Sequence, residues 1–300
     1  MDRLVRRAAH AFCLVPLIVA ARPASAQRLE RDRSAHVRFL ALNVAIGTTA
    51  SVARAVVAGT PVRTALAKGL LGGSLMSTGM ELIGTESPST RFAGLQLTAV
   101  GASVARNVDN RAPLLSDITL PIYPVFVRVR PGTSTPITAR LSVMSTARLA
   151  SLLSGAHKPS IDWGATMATG APVLRSPRWR LPSKSCPPPC EGSFAQHNAG
   201  VIVYSASAGT DYDLRRTLAH ESLHLAQQTR DALLDAIPAS DAALGRLGTV
   251  GHSISRFVVL DFLMPLRVVD EGEVMMRGAP RRNSWYETEA RAFAPGGALH

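Results

Sequence analysis

The chain has 300 residues, 46% of them hydrophobic, enough to bury a sizeable core as one large domain or two small ones. Its 33 Lys and Arg against 21 Asp and Glu give a formal net charge of +12, which favours anionic partners such as lipid headgroups, cell-envelope polymers or acidic proteins. Composition argues against a nucleic-acid role: only 5% of residues are aromatic and able to stack on bases, and no dense Lys/Arg block occurs.

The opening segment "MDRLVRRAAHAFCLVPLIVAARPASAQ" has a basic start (Arg3, Arg6, Arg7), an apolar stretch from Ala11 to Ala21, and Ala24-Ser25-Ala26 before Gln27. This is the pattern of a secretory signal peptide over residues 1–26, and the apolar stretch is shorter than the ~20 residues of a membrane span. Its removal takes away four arginines and one aspartate, so the mature chain stays basic. Cys13 lies in no convincing lipoprotein box, and Arg6-Arg7 fits a twin-arginine signal poorly. The expected location is the periplasm or cell envelope. The remaining cysteines, Cys186 and Cys190 in "SCPPPCEG", are expected to form a disulfide there, since no other metal ligand lies close to them.

Residues 34–110 form an Ala/Gly-rich region almost free of aromatics, with helices predicted at about 35–57, 61–83 and 91–106 and breaks at "AGTP" and "GTESPST". Gly69 and Gly73 have the GxxxG spacing that lets two helix backbones approach closely. Asn43, Arg54, Lys68 and Glu81 interrupt the apolar runs, and each charge at mid-bilayer costs at least ~2.5 kcal/mol. The reading is a small-residue helical bundle, soluble or lying on a membrane surface, rather than a set of simple spans.

From Asp117 the period changes to two. "YPVFVRVRP" places Val125, Val127 and Val129 on one face with Phe126, Arg128 and Arg130 on the other; "TPITARLSVM" alternates likewise, and "PGTSTP" joins them as a half-buried hairpin. "STARLASLLSG" predicts a short helix with Ser145 as cap and Leu149, Leu152 and Leu153 inward. "IDWGATMATGAPVLR" reads as two short strands around "ATG", and the Pro-rich stretch 176–192 as a surface insertion. "NAGVIVYSAS", residues 198–207, is a strong strand, and "SISRFVVLDFLMPL" reads as a buried apolar helix.

The stretch "TLAHESLHLAQQ" (residues 217–228) carries the chemistry. A helix is predicted to start near "GTDYDL", with Thr210 and Asp213 in a capping arrangement and Leu214, Leu218 and Leu225 along its apolar stripe. His220 and His224 are four apart, so both imidazoles reach one ion from the same face. Glu221 lies about 100° round the helix, beside that ion, where a carboxylate can act on water. A catalytic zinc site usually takes a third protein ligand and leaves one position open.

The third ligand comes from a resemblance. HExxH on a helix followed well downstream by "SWYETEARAFA" resembles the gluzincin-type zinc metallopeptidases, in which a second helix supplies a glutamate from an E-x-x-A-D or E-x-x-x-D pattern. Glu287 matches the ligand place and Ala290 follows three on; Glu289 is the competing choice. The family's aspartate falls on Arg291, a departure that leaves the orienting task to Asp270, Glu271 or Glu273. Gln227-Gln228 is similar to bacterial metallopeptidase-like domains reading HExxHxxQQ. The resemblance covers roughly residues 199–295. It implies an α+β fold with a zincin-like domain over 117–300, Zn2+ held by His220, His224 and Glu287, Glu221 as general base, and "GVIVYSAS" as an edge strand beside the active helix, to which a peptide or protein substrate of the envelope adds as another strand. The rival expectation is a zinc-stabilised envelope scaffold, catalytically weak, that meets the membrane through its N-terminal helices.

Other residues read as structural. His252 is placed in a surface loop and His197 in a loop before the strand, and Tyr204 and Tyr286 at the core or rim rather than on a reaction intermediate. No GxSxG elbow exists for a serine hydrolase.

Overall fold

Three helices rich in small residues build one side of the molecule and floor the rest. In a computed structural model of the chain, residues 33–85, 87–107, 113–155, 159–176, 195–205, 211–260 and 285–294 are described. The signal segment, the cysteine pair, Asp270, Glu271 and Glu273 therefore lie outside the described residues, as does nearly all of the Pro-rich insertion. Helix α1 (Arg33–Ala58), α2 (Val62–Ile83) and α3 (Pro88–Arg106) fall within three residues of their predicted bounds. On α1 the buried positions Phe39, Asn43, Gly47, Ser51 and Ala55 recur every four residues, one stripe turned inward. The GxxxG spacing works as expected: a Cβ added to Gly69 would stand 2.6 Å from Thr48 Cα, and one on Gly73 2.5 Å from Val44 Cα.

The four polar residues that interrupt the apolar runs are each tied into the fold. Asn43 Nδ2 donates to Glu289 at 2.7 Å, Lys68 Nζ donates to the Asn107 carbonyl at 3.0 Å, Arg54 donates to the Leu234 carbonyl, and Glu81 pairs with His36. Buried polar groups persist when they find such partners. Among the described residues one helical stretch, His36–Ala58, is long and apolar enough to cross a membrane by length and composition.

Two small sheets follow, which makes the architecture α+β. In the first, β1 (Ile118–Ile122), β2 (Val125–Val129) and β3 (Ile137–Ser142) run antiparallel, and β8 (Val258–Val259) joins β3 in parallel. The side that turns inward is the Phe126 side, with Arg140 buried beside it, whereas Ile137 on the valine side is 66% exposed. Helix α4 (Val143–Ser154) is capped by Ser142, whose oxygen accepts from the Ser145 N–H at 3.0 Å, so the cap sits three residues earlier than expected. Leu152 is buried, but Leu153 faces outward at 45% exposure, against expectation.

The second sheet has the order β4-β5-β7-β6, from β4 (Ser160–Ile161), β5 (Val173–Ser176), β6 (Ala195–Asn198) and β7 (Val201–Ser205). The first of the two short strands expected around "ATG" is mostly a helix instead, α5 (Trp163–Thr169), between β4 and β5: Asp162 caps it, accepting from Ala165 N–H at 2.9 Å, and Gly170 closes it at φ 73°. The long strand expected over 198–207 is instead a hairpin. Ala199 (φ 50°) and Gly200 (φ 76°) turn the chain, so β7 is flanked by β5 and β6 and is no edge strand.

Helix α6 (Asp211–Asp231) continues through a wider π turn (Ala232–Ala236) into α7 (Ile237–Gly245), followed by α8 (Gly248–Ser255). The apolar helix expected over 253–266 does not form in its described part: α8 ends at Ser255, Phe257 is 68% exposed and Val258–Val259 is strand. The last described element is α9 (Trp285–Phe293). Met76, Met80, Ile83, Leu95, Ala99, Leu223, Ala226, Ala290 and Phe293 share one core, so α2 and α3 pack beneath α6 and α9. His36 on α1 reaches α9 too, with its ring against Phe293 and Nδ1 3.2 Å from the Ala292 carbonyl.

Candidate metal centre

Helix α6 turns two faces to different tasks. Leu218 packs with Val173, Ile202 and Tyr204 of the second sheet, while Leu223, Leu225 and Ala226 enter the main core. His220 and His224 lie on a neighbouring, half-buried stripe. Helix α9 crosses there and brings Glu287 over the imidazoles.

The three side chains converge. His220 Nε2 is 3.2 Å from His224 Nε2 and 3.2 Å from Glu287 Oε1; His224 Nε2 is 3.1 Å from Glu287 Oε2. All three donor atoms fall within 4.8 Å of one another. Two imidazole nitrogens facing each other at this distance repel unless a proton or a cation lies between them. Tetrahedral zinc with bonds of 2.0–2.1 Å has ligand atoms about 3.3 Å apart, so the observed separations fit such an ion. The donor set, two imidazoles and one carboxylate, also matches the hardness zinc prefers.

Electrostatics reinforce the cluster. Burial alone would raise the Glu287 carboxyl, but hydrogen bonds and charge from His220 and His224 outweigh it and hold that group far below the usual carboxylate range. Burial likewise opposes a charged His224, yet the Glu287 hydrogen bond and the charges of Glu221 and Glu287 outweigh it and raise its pKa. Arg291, where an acid was anticipated, instead grips Glu287: its Nη2 and Nε both lie 3.2 Å from Oε1.

Glu221 is buried next to these three side chains, and its Oε2 accepts the His197 backbone N–H at 2.6 Å. His197 therefore lies not in a loop but on β6, buried, its ring stacked at 6.4 Å on that of His224. Its Nε2 accepts the Gly200 N–H at 3.2 Å, which ties the β6–β7 turn to the cluster. No signal in the sequence marked it, because the contact needs the hairpin to form first.

Glu289 is not brought to the cluster. Two residues from Glu287 on a helix, it points to the opposite side, where it is wholly buried against Arg230 at 2.9 Å. Tyr204 is a core residue: its hydroxyl donates to Asp162 at 2.7 Å, and burial with that bond pushes its pKa up to about 12. The Tyr286 side chain lies outside the described residues. His252 sits on α8, not in a loop, and lines a separate cavity of about 700 Å3 with Arg128, Arg130, Arg140, Arg256 and Asp241. Gln227 does more than complete the HExxHxxQQ motif: its Oε1 lies 2.8 Å from His224 Nδ1, a contact its i+3 spacing on the helix makes available.

No family model, curated protein or solved structure matches this chain.

Proposed function

We propose that the chain is an exported zinc metallopeptidase of the gluzincin type, with a zincin-like domain and a peptide or protein substrate in the cell envelope. The convergence of His220, His224 and Glu287 at 3.1–3.2 Å carries this reading. A zinc ion held there would act as a Lewis acid on a carbonyl and make water more acidic. The rest falls to the chain's own residues. Glu221 takes the proton from the attacking water and passes it to the leaving amine. The His197 N–H fixes one carboxylate oxygen, so the other is the one aimed for proton transfer. Strand β6 ends the second sheet among the described residues, and Glu221 stands at that edge. An extended peptide added there would pass beside the carboxylate. Export, on this reading, follows from residues 1–26.

The Arg291–Glu287 pair favours a second reading, a zinc-stabilised scaffold in which the guanidinium weakens the third ligand. Purified mature chain decides between them through its zinc stoichiometry and its cleavage of casein and peptide libraries. Glu221→Gln should keep the zinc and abolish turnover. Bound zinc without hydrolysis of any library supports the scaffold, and equal cleavage by the parent and Glu221→Gln removes Glu221 as base.

A further inference from the structure

Deepening the metal reading just given, on which it rests, we propose that Gln227 is a positioning residue that fixes His224 as its Nδ1–H tautomer, and that Glu289, Arg230 and Asn43 hold Gln227 in the amide orientation this requires. The assignment follows from donor and acceptor chemistry. Glu289 is 0% exposed, and the groups placed on its carboxylate all donate: Asn43 Nδ2 at 2.7 Å, Arg230 Nη1 at 2.9 and 3.0 Å, and Gln227 Nε2 at 3.0 Å. A buried carboxylate paired with a guanidinium is ionised and can only accept. The Gln227 atom that faces it must therefore be the amide NH2, which leaves Oε1 turned towards His224. An amide oxygen only accepts as well, so the His224 Nδ1 at 2.8 Å must carry the proton. In the neutral imidazole Nε2 is then the nitrogen with the lone pair, and Nε2 is the atom that meets His220 and Glu287. The order of donors thus prepares His224 as a ligand before any ion arrives, which spares it a change of tautomer on binding.

The relay reaches the N-terminal helices. Arg230, itself 0% exposed, donates from Nη1 to Asn43 Oδ1 at 2.8 Å and from Nε to Asp231 at 3.0 Å. Asn43 sits on the buried stripe of α1, where it also donates to the Phe39 carbonyl at 2.9 Å. Helices α1, α6 and α9 each place one part of a single hydrogen-bond path that ends on a ligand nitrogen. This assigns the Ala/Gly-rich layer a part in the site: its small residues let α1 come close enough for Asn43 to complete the path.

The test uses the full mature chain labelled with 15N-histidine and freed of metal, at pH 9. Two-bond 1H–15N correlations should show His224 protonated on Nδ1. Gln227→Met should release it to the Nε2–H form and weaken Zn2+ binding, read by chelator competition, by about 10–100-fold. Asn43→Ala should move both readouts in the same direction by less. The exchange Gln227→Glu with Glu289→Gln keeps an acceptor on Nδ1 and the same net charge, so it should recover the Nδ1–H form and most of the affinity. An Nε2–H His224 in the parent overturns the proposal, and that spectrum needs no variant to fold. Folded Gln227→Met with the parent's zinc affinity overturns it equally. A parent with Nδ1–H at His224 but no zinc binding upholds the relay and rejects the metal reading instead.

Discussion

Glu221, Glu287 and Glu289 are three acids within reach of one helix face, and their surroundings set them three tasks. Glu287 meets two imidazoles, so its removal strips the cluster of its charge: Glu287→Gln is expected to lower zinc affinity by more than the ~10–100-fold typical of an outer partner, measured by chelator competition. Arg291→Ala should act the other way. The pair it removes is partly exposed and at i, i+4, worth ~0.3–0.5 kcal/mol, so zinc should bind at most a few-fold tighter. The same cluster makes the metal-free chain sensitive to pH. Glu287, lowered in the fold, contributes stability above its ordinary pKa of 4.5 and loses it as pH falls; His224, raised, contributes below its ordinary 6.5 and loses it as pH rises. The stabilisation from the pair is therefore greatest between those values. Thermal melts of metal-free parent and Glu287→Gln should differ most near pH 5.5 and approach one another as pH rises through the raised pKa of His224.

At the scale of elements, close helix contact explains why glycine recurs in α2 and α3. A Cβ on Gly72 would meet the Gly101 carbonyl oxygen at 2.5 Å, and one on Gly101 the Gly72 carbonyl at the same distance. Gly72→Val should force the pair apart and cost about 1–3 kcal/mol, seen as a drop in Tm of several degrees. The three helices were legible because small residues, a proline near each of two starts and polar breaks agree locally. The segment around Asp162 was not. "DWGATMATG" alternates like strand, but Asp162 satisfies the first turn and Gly170 the last, and those caps outweigh the pattern. Strand β7 was legible as an apolar run, yet its neighbours were not. Whether a strand lies at an edge depends on which other strands pair with it, and β6 is paired through a turn at Ala199-Gly200 that the strand pattern absorbed.

At the scale of the whole molecule, the buried Arg230–Glu289 pair locks α6 to α9 and, through Asn43, to α1. Breaking one partner leaves a buried charge, so Arg230→Met should cost ~3–5 kcal/mol in urea unfolding, whereas Arg230→Met with Glu289→Met should recover much of that loss. A double variant as unstable as the single would show that the pair's value lies in packing alone.

The spacing of His220 and His224 alone determined that two imidazoles would share a helix face, because four residues make about one turn in any α-helix. The sequence equally determined that only one of Glu287 and Glu289 could join them, since residues two apart on a helix point to nearly opposite sides. Which one faces the imidazoles was decided by tertiary structure. Arg230 and Asn43, contributed by other elements, claim Glu289 for the interior, and that burial turns Glu287 towards His220 and His224. Arg230 and Asn43 lie 187 residues apart in the chain, so no local pattern could have announced the choice.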